Sequence, residues 1–108
     1  MNFTTVSPDY AAAAQIAADD VAEIAALGYR SIMCNRPDGE DPGQPDFAVI
    51  AEAAHERGLV AKHVPVVSGR ITPENVEDFR AALAELPQPV FAYCRSGARC
   101  RTLWQMTL

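Results

Sequence analysis

The sequence predicts an α/β domain in which a mostly parallel sheet carries helices on both faces. Strand-like apolar runs begin near residues 29, 59 and 89, and helix-like runs begin near 17, 45 and 72. The alternation repeats at about 30 residues, the length of a βαβ unit. Hydrophobic residues make up 49% of a 108-residue chain, enough for one core in one small domain. There is no internal repeat and no low-complexity linker, so residues 1–108 are expected to form a single domain.

Taken in order, Asn2 to Val6 reads as a short edge strand and Ser7-Pro8-Asp9 as a turn. Tyr10 to Ile16 is alanine-rich and receives no assignment. From about Ala17 to Leu27 the pattern is helical: Asp19 and Asp20 suit the positive N-terminal end, Val21, Ile24 and Ala25 share a face, and Gly28 ends it. Tyr29 to Cys34 follows as a buried strand, with Cys34 in the core. Pro45 suits the first turn of a helix running to about Arg57, with an apolar stripe of Phe47, Ile50, Ala51 and Ala54. His55 lies off that stripe and is expected to be exposed.

Leu59 to Val64 is the next strand, and His63 in its second half reads as structural. Thr72 caps a third helix with Pro73 at its first position. Val76, Phe79, Leu83 and Leu86 form its buried face, and the prolines at 87 and 89 break it. Pro89 to Tyr93 is the last strand, and a helix-like segment, Arg101 to Met106, closes the chain.

Chemistry concentrates where the last strand ends, at Cys94-Arg95-Ser96-Gly97-Ala98-Arg99-Cys100. A strand, a tight Gly-containing turn and a helix start make an anion cradle, because successive backbone N–H groups converge and the helix dipole adds positive charge. That field also favours thiolate over thiol, so Cys94 is expected to be a nucleophile with a lowered pKa. Arg99 is placed to clamp an anion by two points, with Arg95, Ser96, Gly97 and Ala98 completing the loop. A free cysteine at a strand end is often simple buried filler, but filler requires neither Gly97 nor Arg99 nor the Ser96 hydroxyl.

In sheets of this kind ligands bind at the carboxyl ends of the strands. The polar loops 35–44 and 65–71 are therefore expected to meet the loop at 94–99. Net charge is −5, which argues against nucleic acid or an anionic membrane as partner. Arginines at 95, 99 and 101 on an acidic body fit a small anion instead. Three cysteines (Cys34, Cys94 and Cys100), with no signal peptide or long apolar run, point to the cytoplasm. No Cys-x-x-Cys pair or His cluster supports a metal, and no cofactor is expected.

The loop resembles that of rhodanese-type sulfurtransferases, whose Cys-x-x-Gly-x-Arg it fits without a gap. Cysteine-dependent protein phosphatases have a related loop with five residues between Cys and Arg. That spacing would put the arginine where Cys100 stands, and their usual preceding His is Tyr93 here. A wider resemblance runs through Asn35-Arg36-Pro37-Asp38-Gly39-Glu40, Val64-Pro65-Val66 with Ile71-Thr72-Pro73-Glu74, and Tyr93 to Arg99 followed by Leu103-Trp104. These segments, covering nearly the whole chain, resemble the phosphatase-like domain of bacterial beta-lactamase-hydrolase-like proteins, also labelled sulfur transferases. The resemblance implies a dual-specificity-phosphatase-like fold and an association with sulfide and persulfide handling. The chain departs from it in two places. Cys100 replaces the usual Ser or Thr, and the last helix stops after a turn or two where related domains continue, as in a truncated form or a thinly covered sheet.

A phosphatase needs a thiolate, an arginine and a general acid for the leaving oxygen. Pro65 to Arg70, where that acid normally lies, holds no carboxylate; Asp38 and Glu40 are the candidates left on the neighbouring loop. Sulfur transfer needs no strong acid, because its leaving thiol or sulfite is already a good anion. The expectation is therefore a sulfurtransferase that forms a persulfide on Cys94 and passes it to an acceptor thiol. A phosphatase working through a cysteinyl-phosphate is the alternative, and a non-catalytic anion- or persulfide-binding sensor the second alternative. Cys100 is expected to point back at Cys94, either as a resolving thiol or simply as a small residue where Ser would also serve.

Overall fold

The computed structural model describes every residue from Met1 to Leu108. Five strands form one sheet: β1 (Phe3–Ser7), β2 (Tyr10–Ala13), β3 (Ser31–Cys34), β4 (Val60–His63) and β5 (Val90–Tyr93). Their order is β1-β2-β5-β3-β4, with β1 antiparallel to β2 and every other pair parallel. Four helices cover it: α1 (Val21–Ala26), α2 (Phe47–Glu56), α3 (Pro73–Glu85) and α4 (Ala98–Met106). The predicted class, mostly parallel with helices on both faces, is the observed one.

The period-two alternation of each strand divides the core between the two faces. Tyr10, Ala12, Met33, Val90 and Ala92 pack toward Phe79 and Ala82 of α3 and Leu103 of α4. Ala11, Ala13, Ile32, Phe91 and Tyr93 pack toward Val21 and Ile24 of α1 and Ile50 and Ala54 of α2. Cys94 and Cys100 lie on the α3/α4 face, while Cys34 lies on the other. Strand β5 is central, flanked by β2 and β3, so the loop after Tyr93 emerges at the middle of the carboxyl edge.

The segment left unassigned in the sequence is β2, the second innermost strand. Its alanines give it little β propensity, but the sheet holds it between β1 and β5 with no residue more than 2% exposed. At its end the β2 backbone lies close under the turn that follows Cys94: a Cβ at Gly97 would come within 3.3 Å of the Ala13 carbonyl carbon. The chain of β2 thus runs directly beneath the loop at 94–99.

Three helix starts differ from expectation. Ala18–Asp20 forms a 3-10 turn before α1, with the Asp20 carboxylate accepting from the Ala17 N–H at 2.8 Å. Helix α2 begins at Phe47, two residues after Pro45, because Asp38 Oδ1 accepts the Phe47 N–H at 2.8 Å and fixes the start there. Helix α4 begins at Ala98, three residues earlier than Arg101. Helix α3 begins as read: Thr72 accepts from the Asn75 N–H at 3.1 Å, the Asn75 side chain accepts from the Thr72 N–H at 2.9 Å, and Pro73 follows.

Candidate active site

Cys94 follows the last residue of β5, and its N–H donates to the Ala13 carbonyl at 3.1 Å. The turn then needs a left-handed residue to swing into a helix. Gly97 supplies it at φ 93° and stands as the N-cap of α4. With the chain so turned, the Gly97 N–H donates to Cys94 Sγ at 3.1 Å. The Cys100 thiol and N–H also face that sulfur, as does the Ser96 N–H. The Cys94 sulfur therefore occupies the anion position at the N-terminus of α4. The Cys100 thiol is the largest influence lowering its pKa; burial opposes it, the N–H donors reinforce it, and the outcome is about 5. Burial and the neighbouring sulfur push the Cys100 thiol well up, so it is the protonated donor of the pair. Tyr10 fastens the same turn of helix from below, its hydroxyl donating to the Cys100 carbonyl at 2.9 Å.

Arg99 is on the first turn of α4, buried to 8% exposure, and its guanidinium is already engaged. Nη1 donates to Glu40 Oε2 at 2.7 Å, Nη2 to Glu40 Oε1 at 2.9 Å, and Nη1 also to the Val66 carbonyl at 2.9 Å. Nε is left without a protein partner. The three polar loops meet here as expected: Arg99 ties loop 94–99 to Glu40 and to Val66, and the Val66 N–H donates to the Asn35 carbonyl at 3.1 Å. A recess of about 270 Å³ opens above them, lined by Glu40, Asp41, Ser68, Arg95 and Arg99. Cys94 itself is fully buried beneath the loop, whose Arg95, Ser96 and Ala98 are exposed.

The two carboxylates considered as acids hold other posts. Hydrogen bonding to Arg99 is the main cause that lowers the Glu40 carboxyl, against burial and with help from Arg36, to about 2. An acid that strong carries no proton at neutral pH, so Glu40 is an ion-pair partner, not a proton donor. Asp38 is exposed and anchors the start of α2.

Arg36 is the residue the sequence reading missed. It is 3% exposed and donates from Nε to Glu40 Oε1 at 2.8 Å, from Nη1 to Gln15 Oε1 at 3.0 Å, and from Nη2 to Asp41 Oδ2 at 2.6 Å. Glu40 is thus held between two buried guanidiniums. Asp41 also meets the exposed Arg95, at 3.4 Å. The Asn35-Arg36-Pro37-Asp38-Gly39-Glu40 stretch held the only available signal, an arginine four residues before a glutamate. His63 is structural, as read: it stacks on Phe47 at 4.7 Å between ring centres, and its Nε2–H donates to the Arg36 carbonyl at 2.9 Å.

A central strand leading into a buried cysteine, a glycine turn and an arginine on the following helix mark a cysteine-phosphatase-like α/β domain. The chain belongs to the family of the beta-lactamase hydrolase-like protein, phosphatase-like domain, whose model matches residues 2–108. It is 39% identical over 85 residues to a beta-lactamase hydrolase-like protein of Agrobacterium fabrum, covering 79% of this chain and 20% of that one. It is 34% identical over 107 residues to that of Xylella fastidiosa, covering 99% of this chain and 25% of the relative. The chain therefore spans a quarter or less of the curated relatives it matches.

Among solved structures, a candidate phosphatase of Neisseria meningitidis superposes with a TM-score of 0.86 at 38% identity, over 94% of this chain and 72% of that one. The Pseudomonas aeruginosa protein TpbA, solved with phosphotyrosine, shares the fold at a TM-score of 0.60 and 21% identity, over 89% of this chain and 54% of that one. No helix is long and apolar enough to cross a membrane.

Proposed function

We propose that this domain is a cysteine-dependent phosphatase that works through a cysteinyl-phosphate on Cys94 and takes phosphate esters whose leaving group departs without a proton from the enzyme. One observation carries the reading: the Cys94 sulfur sits at the N-terminus of α4 and accepts the Gly97 N–H, while of the carboxylates lining the recess Glu40 is held as an anion by Arg99 and Asp41 is paired with Arg36. A nucleophile is prepared and an acid is not. The family, and the likeness to a candidate phosphatase, support phosphoryl transfer as the class of chemistry.

In the first step the sulfur–phosphorus bond forms and the phosphorus–oxygen bond breaks, with the electron pair leaving on the ester oxygen. Without an acid, that oxygen must be a stable anion, as in an aryl or acyl phosphate. Arg99 Nε and the exposed Arg95 supply positive charge to the phosphoryl oxygens. Water then attacks the cysteinyl-phosphate and returns the thiolate, releasing its proton to solvent or to the departing phosphate. Because Cys94 is fully buried, residues 95–98 must move aside for in-line attack.

Sulfur transfer is the second reading, and the contact between two thiols in one loop favours it. There the Cys94 thiolate takes a sulfane sulfur as a persulfide, the donor leaves as a thiolate or sulfite, and an acceptor thiol removes the sulfur. One preparation given an aryl phosphate, an alkyl phosphate, thiosulfate and glutathione persulfide separates the cases. The proposal expects aryl phosphate hydrolysis well above alkyl, lost in Cys94→Ser. Turnover of the sulfur donors with no phosphate released would overturn it in favour of sulfur transfer. No turnover of any of the four would leave a binding module.

A further inference from the structure

The geometry points to a second chemistry in the same loop: we infer that Cys94 and Cys100 are a redox-active dithiol that closes to a reversible intraloop disulfide. The inference rests on Cys94 being the nucleophile but not on the group it transfers.

Three placements carry it. Cys94 follows β5 and Cys100 is the third residue of α4, and the left-handed turn at Gly97, whose N–H donates to Cys94 Sγ at 3.1 Å, folds the start of the helix back over Cys94 with Cys100 in the same buried cluster. Both belong to one buried cluster on the α3/α4 face, so they share one dry environment. Cys34, the other cysteine of the chain, lies on the opposite face of the sheet, with its Sγ 3.2 Å from the Arg36 carbonyl, and cannot compete for the pair. A disulfide needs Cα atoms roughly 4.4–6.8 Å apart, and the tight turn at Gly97 is what sets that span between Cys94 and Cys100.

Cys94 is the sulfur that meets the oxidant as a thiolate, and Cys100 is a buried neutral thiol that must give up its proton as it attacks. With hydrogen peroxide, the Cys94 thiolate attacks one oxygen, the O–O bond breaks, hydroxide leaves, and Cys94 becomes a sulfenic acid. The Cys100 sulfur then attacks the Cys94 sulfur, and its proton leaves with the hydroxyl group as water. The two sulfurs have together lost two electrons to the peroxide, which ends as two waters once the hydroxide takes up a proton. A persulfide on Cys94 resolves in the same way: Cys100 attacks the inner sulfur and hydrogen sulfide leaves. Both routes end in one disulfide, which an external dithiol reduces. An uncharged donor at this position, such as a Ser hydroxyl, would stabilise the thiolate but could not capture its oxidised form.

The test treats the wild-type protein and Cys100→Ser with hydrogen peroxide and reads the intact mass and the Cys94 peptide over time. The expected result is a loss of about 2 Da in the wild type, mapped to a link between Cys94 and Cys100 and reversed by dithiothreitol, with no sulfinic product building up. In Cys100→Ser that link is absent and Cys94 proceeds to sulfinic acid. Equal rates of sulfinic acid formation in both proteins would overturn the inference, as would a link to Cys34, a link between two molecules, or no change at Cys94. Cys100→Ala, read alongside, guards against a folding defect peculiar to the serine variant. Aryl phosphate hydrolysis on the same reduced preparation keeps the two proposals apart. A disulfide without hydrolysis refutes only the phosphatase, and hydrolysis without a disulfide refutes only the dithiol.

Discussion

The Arg99 guanidinium and the Glu40 carboxylate meet through two parallel hydrogen bonds, 2.7 and 2.9 Å long, across 59 residues of sequence. Arg36 closes on the same carboxylate from its other side at 2.8 Å. The arginine of loop 94–99 therefore begins with a counterion, and Glu40 sets its orientation. Replacing Glu40 by Gln leaves two buried guanidiniums facing a neutral amide, with Asp41 still serving Arg36. Uncompensated buried charge is costly, so Glu40→Gln is expected to lose about 3 kcal/mol in urea melts. A change within about 0.5 kcal/mol would contradict the arrangement.

The same pair sets acid stability. The Glu40 carboxyl falls from 4.5 to about 2 on folding, chiefly through Arg99. Its contribution is fully present above the unfolded value and is lost as the pH falls through the folded one. Melts across that window should show the wild type losing of order 1–3 kcal/mol that Glu40→Gln never had. Parallel curves for the two proteins would show that the pair contributes nothing.

Gly97 is the one glycine where both the backbone and the neighbours oppose a side chain. Its φ is 93°, and a Cβ would stand 3.1 Å from Arg101 Nη1 and 3.3 Å from the Ala13 carbonyl carbon. Gly97→Ala should cost roughly 1–3 kcal/mol by strain and displace the N–H that holds the Cys94 sulfur. Stability read with the pH at which Cys94 ionises checks both. A variant as stable as the parent, with an unmoved Cys94, would contradict this account of the turn.

Most of the layout was readable because it rests on local periodicity. Alternating strands and helices foretold the sheet, and a sheet of that kind brings loops 35–44, 65–71 and 94–99 to one edge. Cys94 and Arg99 were readable because the motif is contiguous. Strand β2 was not, since an alanine run becomes a strand only through its neighbours. Nor was the choice between Asp38 and Glu40 readable, because one anchors a helix and the other pairs with two arginines according to where the fold sets each side chain. Arg36 was hidden by the ordinary rule that arginines are exposed; its burial depends on three acceptors, two from its own loop and one, Gln15, from the chain after β2.

The arginines of the loop should not be equivalent. Arg99→Lys loses the planar two-point geometry toward Glu40 and the free Nε, and most activity should go with it. Arg95 is exposed and acts through its field, so Arg95→Lys should retain most activity, with what remains weakened by salt. Arg101→Lys should likewise be mild. Rates for the three variants at low and high ionic strength decide this; equal losses at all three positions would mean diffuse attraction.

Cys94 should titrate near pH 5. Its folded pKa lies below that of a free thiol, so the thiolate persists as pH falls until that value is reached. Ultraviolet thiolate absorbance, taken as the difference between the wild type and Cys94→Ala, reports it without needing a reagent to reach the buried sulfur. A midpoint at the free-thiol value of about 8.5 would remove the prepared nucleophile.

The central claim is that Cys94 carries the transferred phosphoryl group. Mixing the protein with an aryl phosphate, quenching in acid within the first turnover and mapping the peptides by mass spectrometry tests it directly. The account predicts a phosphoryl adduct on the sulfur of Cys94, absent from Cys94→Ser and gone once substrate is exhausted. Hydrolysis that proceeds with no adduct and survives Cys94→Ser would contradict it.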